Sequence, residues 1–405
     1  VPTNVVTITV NAIPAEGTIG SDQTICNGAT PATLTGNVIA GTGVTYRWES
    51  SPNGISGWAA TGGTGNNYSP GTLTATTYYR RITRITSGGV TCESVPTNVV
   101  TITVNAIPAE GSIGSSQTIC NGATPATLTG NVIAGTGVAY RWESSANGIS
   151  GWAATGGTGN NYSPGALTAT TYYRRITRVT SGGVTCESVP TNVVTITVNA
   201  IPAEGTIGSS QTICNGDTPA MLIGTAVLGT GTITYRWESS ANGTSGWAAT
   251  GGTGNNYSPG ALTETTYYRR ITIITSGGAT CESVPTNVVT ITVNALVTEG
   301  SIGSGQTICH GAIPALLTST TAGAGTGTVT YRWESSPNGS SWTTVSGATG
   351  ATYQPAALYE TTYYRRITIA TSGVSCESPA SNTVTVTIKN CNLITNPMIY
   401  QRVSN

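Results

Sequence analysis

The sequence predicts an all-β chain of tandem immunoglobulin-like β-sandwich domains arranged in an extended array. The segment Val-Pro-Thr-Asn-Val-Val-Thr-Ile-Thr-Val-Asn-Ala begins at residues 1, 95, 189 and 284, so internal repetition dominates the chain. A spacing of 94 or 95 residues suits one small self-contained β domain. Short segments rich in β-branched and aromatic residues alternate apolar with polar positions, and no long segment has a helical period.

Each repeat contains about seven short segments with strand character, and clusters of Gly, Pro, Asn and Ser separate them. In the segment 44–49, the side chains of Val44, Tyr46 and Trp48 alternate with polar ones, which is typical of a strand with one buried face. A tryptophan in a middle strand and a tyrosine-rich late strand at 76–85 favour an immunoglobulin-like sandwich.

The position of the Val-Val-Thr-Ile-Thr-Val segment sets the expected domain boundaries. It follows the late cysteine of each repeat and is predicted to be the last strand of a sandwich. Residues 1–12 are then the last strand of a preceding, truncated repeat, and we expect the chain to be the C-terminal piece of a longer array. The predicted divisions are four repeats, here called repeats 1 to 4, at 13–106, 107–200, 201–295 and 296–390, and a non-repeat tail at 391–405.

Composition argues against several classes of function. Sixteen basic and sixteen acidic residues cancel, so a nucleic-acid partner is not expected. No apolar run is long enough to span a membrane. His310 is the only histidine, and the chain has two aspartates, so we expect no catalytic residues, no metal site built from side chains and no cofactor. Calcium held by backbone carbonyl oxygens at the linkers is left open. The predicted protein is not an enzyme.

The cysteines indicate disulfides. Each repeat has one early and one late cysteine, so we expect a bond within each repeat and leave Cys391 unpaired. Zinc would need close cysteine pairs or histidine partners, which the sequence lacks. Disulfides imply an oxidising compartment outside the cytoplasm, whereas buried thiol pairs are the alternative. The expected pairs are Cys26 with Cys92, Cys120 with Cys186, Cys214 with Cys281, and Cys309 with Cys376.

Two side-chain patterns have both a packing and a binding interpretation. Trp58, Trp152, Trp247 and Trp342 each follow a glycine-containing turn, and they are predicted either to pack or to contact a ligand such as a sugar. In Arg80-Arg81, neighbouring strand residues face opposite ways, so one arginine must point toward the core. We favour pairing of these arginines with glutamates of the Glu49 type, with an anion-binding patch as the alternative.

The motifs also resemble a known group of repeats. The segments Gln-Thr-Ile-Cys at 23–26, Thr-Tyr-Arg-Trp-Glu-Ser-Ser at 45–51 and Thr-Thr-Tyr-Tyr-Arg-Arg-Ile-Thr at 76–83 are similar to the Ig-like repeats of giant Bacteroidetes cell-surface adhesins. That group is exported by type IX secretion and includes SprB-like gliding adhesins. The resemblance covers residues 1–390 and implies surface display, a filament-like shape and an adhesive or stalk role.

Our leading functional hypothesis is a structural stalk or fibre segment of a secreted bacterial surface adhesin, involved in gliding motility or surface attachment. The expected partners are further repeats of the same chain upstream, and the cell-surface anchoring or motility machinery. One alternative is a carbohydrate-binding repeat array that recognises surface polysaccharide. Another is a filament subunit that assembles by strand exchange through residues 1–12. The predicted location is extracellular, at the cell surface.

Overall fold

The structure is a computed structural model that describes residues 3–391. It contains two compact units, Val1–Ala200 and Ile201–Asn405, and each unit holds two repeats. The described residues form strands, turns and irregular segments, which confirms the predicted all-β class. Within them, no helix is long and apolar enough to cross a membrane.

Repeat 1 is built around one mixed sheet. Its strands are β1 (Gln23–Cys26), β2 (Val44–Ser51), β3 (Ala59–Ala60), β4 (Thr77–Ser87), β5 (Val90–Glu93) and β6 (Val100–Asn105). They are ordered β1-β6-β4-β2-β3, and β5 also pairs with β4. A second, thinner layer is formed by the isolated bridges Ile19–Gly36, Leu34–Tyr68 and Ala29–Leu73. The two layers make a sandwich with one core.

The same order recurs in the other repeats. Repeat 2 has β7 (Gln117–Cys120), β8 (Val138–Ser145), β9 (Ala153–Ala154), β10 (Thr171–Ser181), β11 (Val184–Glu187) and β12 (Val194–Asn199). Repeat 3 has β13 (Gln211–Cys214), β14 (Thr232–Ser240), β15 (Ala248–Ala249), β16 (Thr266–Ser276), β17 (Ala279–Glu282) and β18 (Val289–Asn294). Repeat 4 adds a small two-stranded sheet, and its strands are β19 (Ser301–Gly303), β20 (Gln306–Cys309), β21 (Thr318–Thr321), β22 (Thr328–Ser336), β23 (Thr343–Thr344), β24 (Thr362–Ser372), β25 (Val374–Ala380) and β26 (Val384–Lys389).

Strand β4 organises the sheet of repeat 1. It is antiparallel to β2 from Tyr78 to Ile85, and its first residues pair with β6. Its last residues pair with β5 through a two-residue turn. Gly88 and Gly89 form that turn with φ values of 57° and 80°. Two consecutive positive φ angles are required by the tight turns that match strand twist, and glycine adopts them without a Cβ clash.

Trp48 is the centre of the core. Its side chain has no exposed surface, and it packs with Leu34, Tyr79 and Ile102 from both layers. The indole Nε1 donates a hydrogen bond to the carbonyl oxygen of Gly65 at 2.9 Å, so burial leaves no unsatisfied donor. The ring of Tyr68 lies 5.6 Å from it in a stacked arrangement. The expected core role of Trp48 is therefore confirmed.

Arg81 is a buried charge inside this core. Its side chain is fully buried, and Nη1 donates to the carbonyl oxygen of Asn66 at 2.9 Å. Nη2 donates to the carbonyl oxygen and to Oδ1 of Asn37, both at 3.0 Å. The guanidinium also lies over the ring of Tyr46, 4.3 Å from its centroid. Burial lowers the pKa of Arg81, since desolvation disfavours the charged form.

The neighbouring arginine faces outward, as the alternation along the strand predicted. Arg80 forms an ion pair with Glu49 at 2.7 Å, and Glu49 also pairs with Arg47 at 3.1 Å. Arg47 reaches Glu93 at 2.7 Å, which continues the row of alternating charges. The expected pairing of Arg80 with Glu49 is therefore confirmed. In repeat 3, hydrogen bonds from Arg236, the counterpart of Arg47, hold the pKa of the Glu282 carboxyl below its usual range.

Residues 3–12 are not part of a strand in this structure. Val6 and Ile8 are 83% and 84% exposed, whereas their identical counterparts Val194 and Ile196 are buried in β12. The same sequence thus forms a buried strand where a sandwich surrounds it. The placement of residues 1–12 in a preceding repeat, and the other predicted boundaries, stay predictions.

The buried tyrosines predict unfolding at alkaline pH. Burial, with a smaller contribution from Tyr68, raises the pKa of Tyr79 to about 12. A raised pKa means that the folded state favours the neutral phenol, so its stability contribution is intact below pH ~10 and is lost as the pH rises toward 12. Tyr268 and Tyr364 behave alike, with pKa values of about 12. We expect these phenols to ionise together with loss of β structure, measured by tyrosinate absorbance and circular dichroism.

The matched control is Tyr79→Phe, which removes the ionising group and keeps the ring. This variant should move the unfolding of repeat 1 to higher pH, since its folded state then has one less phenol to keep neutral. Ionisation of every tyrosine near pH ~10 without loss of structure would contradict the expectation.

Candidate functional site: the disulfide-linked junction between repeats

Each unit contains one disulfide that joins two repeats. Cys26 of repeat 1 is bonded to Cys186 of repeat 2, with 5.6 Å between their Cα atoms. Cys214 of repeat 3 is bonded to Cys376 of repeat 4, also with a Cα separation of 5.6 Å. In both bonds, the early cysteine of one repeat reaches the late cysteine of the next repeat.

Parallel strand pairing positions the early cysteine of the first junction. Strand β1 runs parallel to β6, and this register places Cys26 opposite Asn105 at the end of the sheet. Both residues then face the turn that joins β10 and β11 of repeat 2. The Nδ2 of Asn105 donates to the carbonyl oxygen of Ser181 at 2.9 Å, beside the bond to Cys186. The junction therefore has a covalent contact and a hydrogen bond side by side.

The receiving turn fits closely against β1. A Cβ atom built on Gly182 would lie 2.8 Å from Oγ1 of Thr24 and would also meet its methyl group at 3.2 Å. The φ of Gly182 is 57°, a conformation that side chains rarely adopt. Glycine at this turn thus serves both the turn and the contact between repeats.

The junction of unit 2 repeats the same contacts. The Nδ2 of Asn294 donates to the carbonyl oxygen of Ser372 at 3.0 Å and lies 3.9 Å from the sulfur of Cys376. Cys214 packs against a small buried cluster made of Val297, Ala370 and Cys376. The agreement between the two units indicates that the junction is a recurring feature of the repeat.

The predicted disulfide pairs are wrong, and strand register gives the reason. Cys26 lies level with Asn105, three residues beyond the pairing of Ile102 with Thr77 at the start of β4. Cys92 pairs with Ile85 near the end of the same strand. About eleven residues of strand separate the two levels, which is roughly 35 Å. A disulfide requires Cα atoms within about 7 Å, so Cys26 cannot reach Cys92.

The other predicted pairings also need correction. Because Cys186 and Cys214 have partners in adjacent repeats, neither is bonded to the cysteine expected within its own repeat, Cys120 or Cys281. Cys120 and Cys281 do take part in disulfides, as predicted.

The disulfide predictions for repeats 1 and 4 are also wrong. Cys391, expected to be unpaired, is bonded to Cys309, which was expected to pair with Cys376. Cys92 is the free cysteine among residues 3–391. The remainder of the predicted tail, 392–405, lies outside the described residues.

Trp58 lies on the outer face of repeat 1 and is half-buried. The guanidinium of Arg80 lies over its ring, 4.2 Å from the centroid, in cation–π geometry. Because Glu49 holds Arg80 at 2.7 Å, one face of this indole is covered by a fixed cation. The equivalents Trp152, Trp247 and Trp342 carry Arg174, Arg269 and Arg365 at the same distance. A ligand contact at these four residues stays a prediction.

A cleft of about 520 Å³ borders the linker of unit 1. Asn105 and Pro108 line one side, and Ile133, Val138 and Val179 line the other. Its lining residues carry no carboxylate, imidazole, thiol or amine. Within the described part of the chain, no group of three or more His, Cys, Asp or Glu side chains could hold a metal ion.

The junction disulfides predict a specific peptide map. Trypsin cuts the denatured, alkylated and non-reduced chain after Arg and Lys, giving peptides that include 1–47, 179–236 and 367–389. We expect these three to be recovered as one species, because Cys26–Cys186 and Cys214–Cys376 join them. The measurement is mass spectrometry before and after reduction.

Bonds within repeats would instead join peptide 1–47 to peptide 85–141, which carries Cys92. The variant Cys26→Ser is the control, since it should release peptide 1–47 and leave 179–236 joined to 367–389. Recovery of 1–47 with 85–141 from the parent chain would overturn the junction bonds.

Comparison with solved structures finds multi-domain chains of low sequence identity. One is described as three N-terminal domains of the bacteriophage RB49 highly immunogenic outer capsid protein, with 13% identity, a TM-score of 0.30, and coverage of 70% of this chain and 99% of that one. The chicken CNTN1 FN1-FN3 domains are 14% identical with a TM-score of 0.28, covering 69% and 99%. The titin I-band fragment I67-I69 is 10% identical with a TM-score of 0.34, covering 70% and 99%.

A search of curated proteins finds no match. A family described as "Domain of unknown function (DUF8696)" matches four consecutive segments, at residues 15–106, 109–200, 203–295 and 298–390. These segments contain both halves of each junction and leave only short linkers between them. With most of its length matched, the chain belongs to this family and carries four copies of its domain.

Proposed function

We propose that this chain is a tension-bearing segment of the stalk of a secreted bacterial surface adhesin. The observation that supports it best is the disulfide between consecutive repeats in each unit, Cys26–Cys186 and Cys214–Cys376. Folded domains in series can each unfold under load and lengthen the chain. A bond across a junction limits that lengthening.

The bonds enclose most of the chain. Cys26 and Cys186 are 160 residues apart, and Cys214 and Cys376 are 162 residues apart. A force applied to the two ends is therefore transmitted through sulfur, and the enclosed residues cannot be pulled straight. In the chain-entropy model, closing a loop of this size also contributes about 5 kcal/mol of stability. Such an element suits a thread whose length must be maintained.

The proposed location is extracellular, at the cell surface. Stable disulfides form and persist in oxidising compartments, which favours a protein exported from the cytoplasm. The bacterial host group, type IX export and a part in gliding motility or attachment rest on the resemblance of the repeat motifs. The proposed partners are further repeats upstream and the anchoring or motility machinery of the cell.

We propose a non-enzymatic role. The single histidine, His310, packs edge-on against Tyr359 at 5.2 Å. The buried arginines, such as Arg81, are bound to backbone carbonyl groups inside the sandwich and have no access to a substrate. Their chemistry is that of a structural cross-link.

Carbohydrate binding is the second candidate. The observation that favours it is the half-exposed indole of Trp58 beside two charged side chains, Arg80 and Glu49, in an arrangement that recurs in every repeat. Aromatic faces with nearby polar groups are the usual components of sugar-binding surfaces. Saturable binding to a polysaccharide that is lost when all four tryptophans become alanine would support this function. Unchanged binding would exclude the four tryptophans as the sugar contacts.

The stalk proposal predicts a redox-dependent contour length. In single-molecule pulling from the two termini, the reduced chain should extend by about 300 Å for each repeat, since each residue spans ~3.3–3.6 Å. The oxidised chain should reach only about one fifth of the reduced contour length, because the two bonds enclose 160 and 162 residues. The variant Cys92→Ser, which keeps both bonds, should behave like the oxidised parent. Equal extension with and without reductant would contradict the proposal.

A further inference from the structure

Cys92 occupies the place of a junction cysteine but has no partner. It lies on β5, at the position where Cys186 and Cys376 lie in repeats 2 and 4. Both of those cysteines are bonded to the early cysteine of the preceding repeat. Cys92 is free and half-buried. Repeat 1 therefore has the side of a junction that carries the late cysteine.

Part of the other side of such a junction, the side that carries the early cysteine, is present too. The Nδ2 of Asn11 donates to the carbonyl oxygen of Ser87 at 3.2 Å. Asn105 makes the same contact with Ser181, and Asn294 makes it with Ser372. The carbonyl oxygen of Asn11 lies 4.0 Å from the sulfur of Cys92.

The segment that leads to Asn11 has an uncovered apolar side. Residues 1–12 are identical to residues 189–200, which contain strand β12. In repeat 2, Ile196 is fully buried and pairs with Gln117 of β7, whereas its counterpart Ile8 is 84% exposed. Residues 5–10 thus have the sequence of a core strand without the sandwich that would cover it.

We propose that Cys92 forms a disulfide with the early cysteine of one more repeat of this family, for which residues 5–10 provide the last strand. The occupant is a repeat body joined to Val1 in the same polypeptide. In repeats 1 and 2 the early cysteine lies opposite the asparagine that ends the last strand, Asn105 or Asn199. The same register places the new cysteine opposite Asn11, whose contacts already reach Ser87 and Cys92.

The bond requires an oxidant. Two thiols lose two protons and two electrons to form the disulfide, and a small-molecule disulfide such as oxidised glutathione accepts the electrons and protons to become two thiols. In repeat 4, the early cysteine Cys309 is bonded to Cys391. The early cysteine of repeat 4 is thus not available to Cys92 of a second copy. This inference deepens the proposed stalk function. The disulfide itself is argued from the contacts of Cys92 and Asn11, and only its mechanical role rests on the proposed function.

The test adds the missing body. A copy of residues 107–188 is fused before Val1 of the full chain, which recreates the natural sequence around Ser188 and Val189, since 1–12 equals 189–200. Both chains are oxidised with a glutathione mixture, denatured and alkylated without reduction. In the 405-residue parent, we expect alkylation of Cys92. In the extended chain, alkylation of Cys92 should fall at least tenfold, and tryptic peptide 85–141 should be linked to the added N-terminal peptide.

The matched control is the same extended chain with Cys120→Ser in the added copy alone. It keeps the added body and should restore alkylation of Cys92 to the parent level. Amide hydrogen exchange of residues 5–10 verifies that the added body has folded, since these amides should become protected in both extended chains. Protection of 5–10 with Cys92 still alkylated would overturn the proposal.

Two further outcomes would also overturn it. A bond between Cys92 and Cys26 would mean that the repeat closes on itself. A disulfide-linked dimer of the parent through Cys92 that persists in the extended chain would assign the cysteine to a second copy. A bond between Cys92 and Cys26 would take Cys26 from Cys186, whereas the other outcomes leave the bonds Cys26–Cys186 and Cys214–Cys376 in place. With those bonds in place, the pulling experiment tests the stalk function separately.

Discussion

The distance between the two cysteines of a repeat is the constraint on which the rest of this structure depends. They lie near opposite ends of the long strand β4, at levels roughly 35 Å apart, so neither can satisfy the other. In the two junction bonds, each cysteine therefore has its partner in a neighbouring repeat. This pairing accompanies a contact between the asparagine of one sheet end and the tight turn of the next repeat, as seen for Asn105 with Ser181 and for Asn294 with Ser372.

Inside each sandwich, a buried guanidinium links the two layers. Arg81 extends from β4 of the main sheet to carbonyl oxygens of Asn37 and Asn66, which lie beside the bridges of the thinner layer. Hydrogen bonds to backbone carbonyls and the face of Tyr46 offset the cost of burying this charge. The same position is held by Arg175, Arg270 and Arg366, all fully buried. In every repeat, this arginine therefore connects the main sheet to the thinner layer through hydrogen bonds to backbone carbonyl oxygens.

The strands and the core followed from local patterns, because alternation and β-branched residues report which face is buried. The positions of Val44, Tyr46 and Trp48 and the opposite directions of Arg80 and Arg81 were predictable for that reason. The disulfide partners were not, because one early and one late cysteine per repeat fit a bond within a repeat as well as one between repeats. Choosing between them requires the parallel pairing of Gln-Thr-Ile-Cys with the last strand, and residue spacing contains no signal of that register.

The enclosure of long stretches between paired cysteines has a consequence for damage. A protease that cuts a loop anywhere between Cys26 and Cys186, or between Cys214 and Cys376, leaves the two pieces attached through sulfur. The exposed glycine-rich turns of such a protein are natural sites of proteolytic cleavage. One cut in each enclosed stretch therefore leaves the pieces covalently joined, and they separate only when cleavage is combined with reduction.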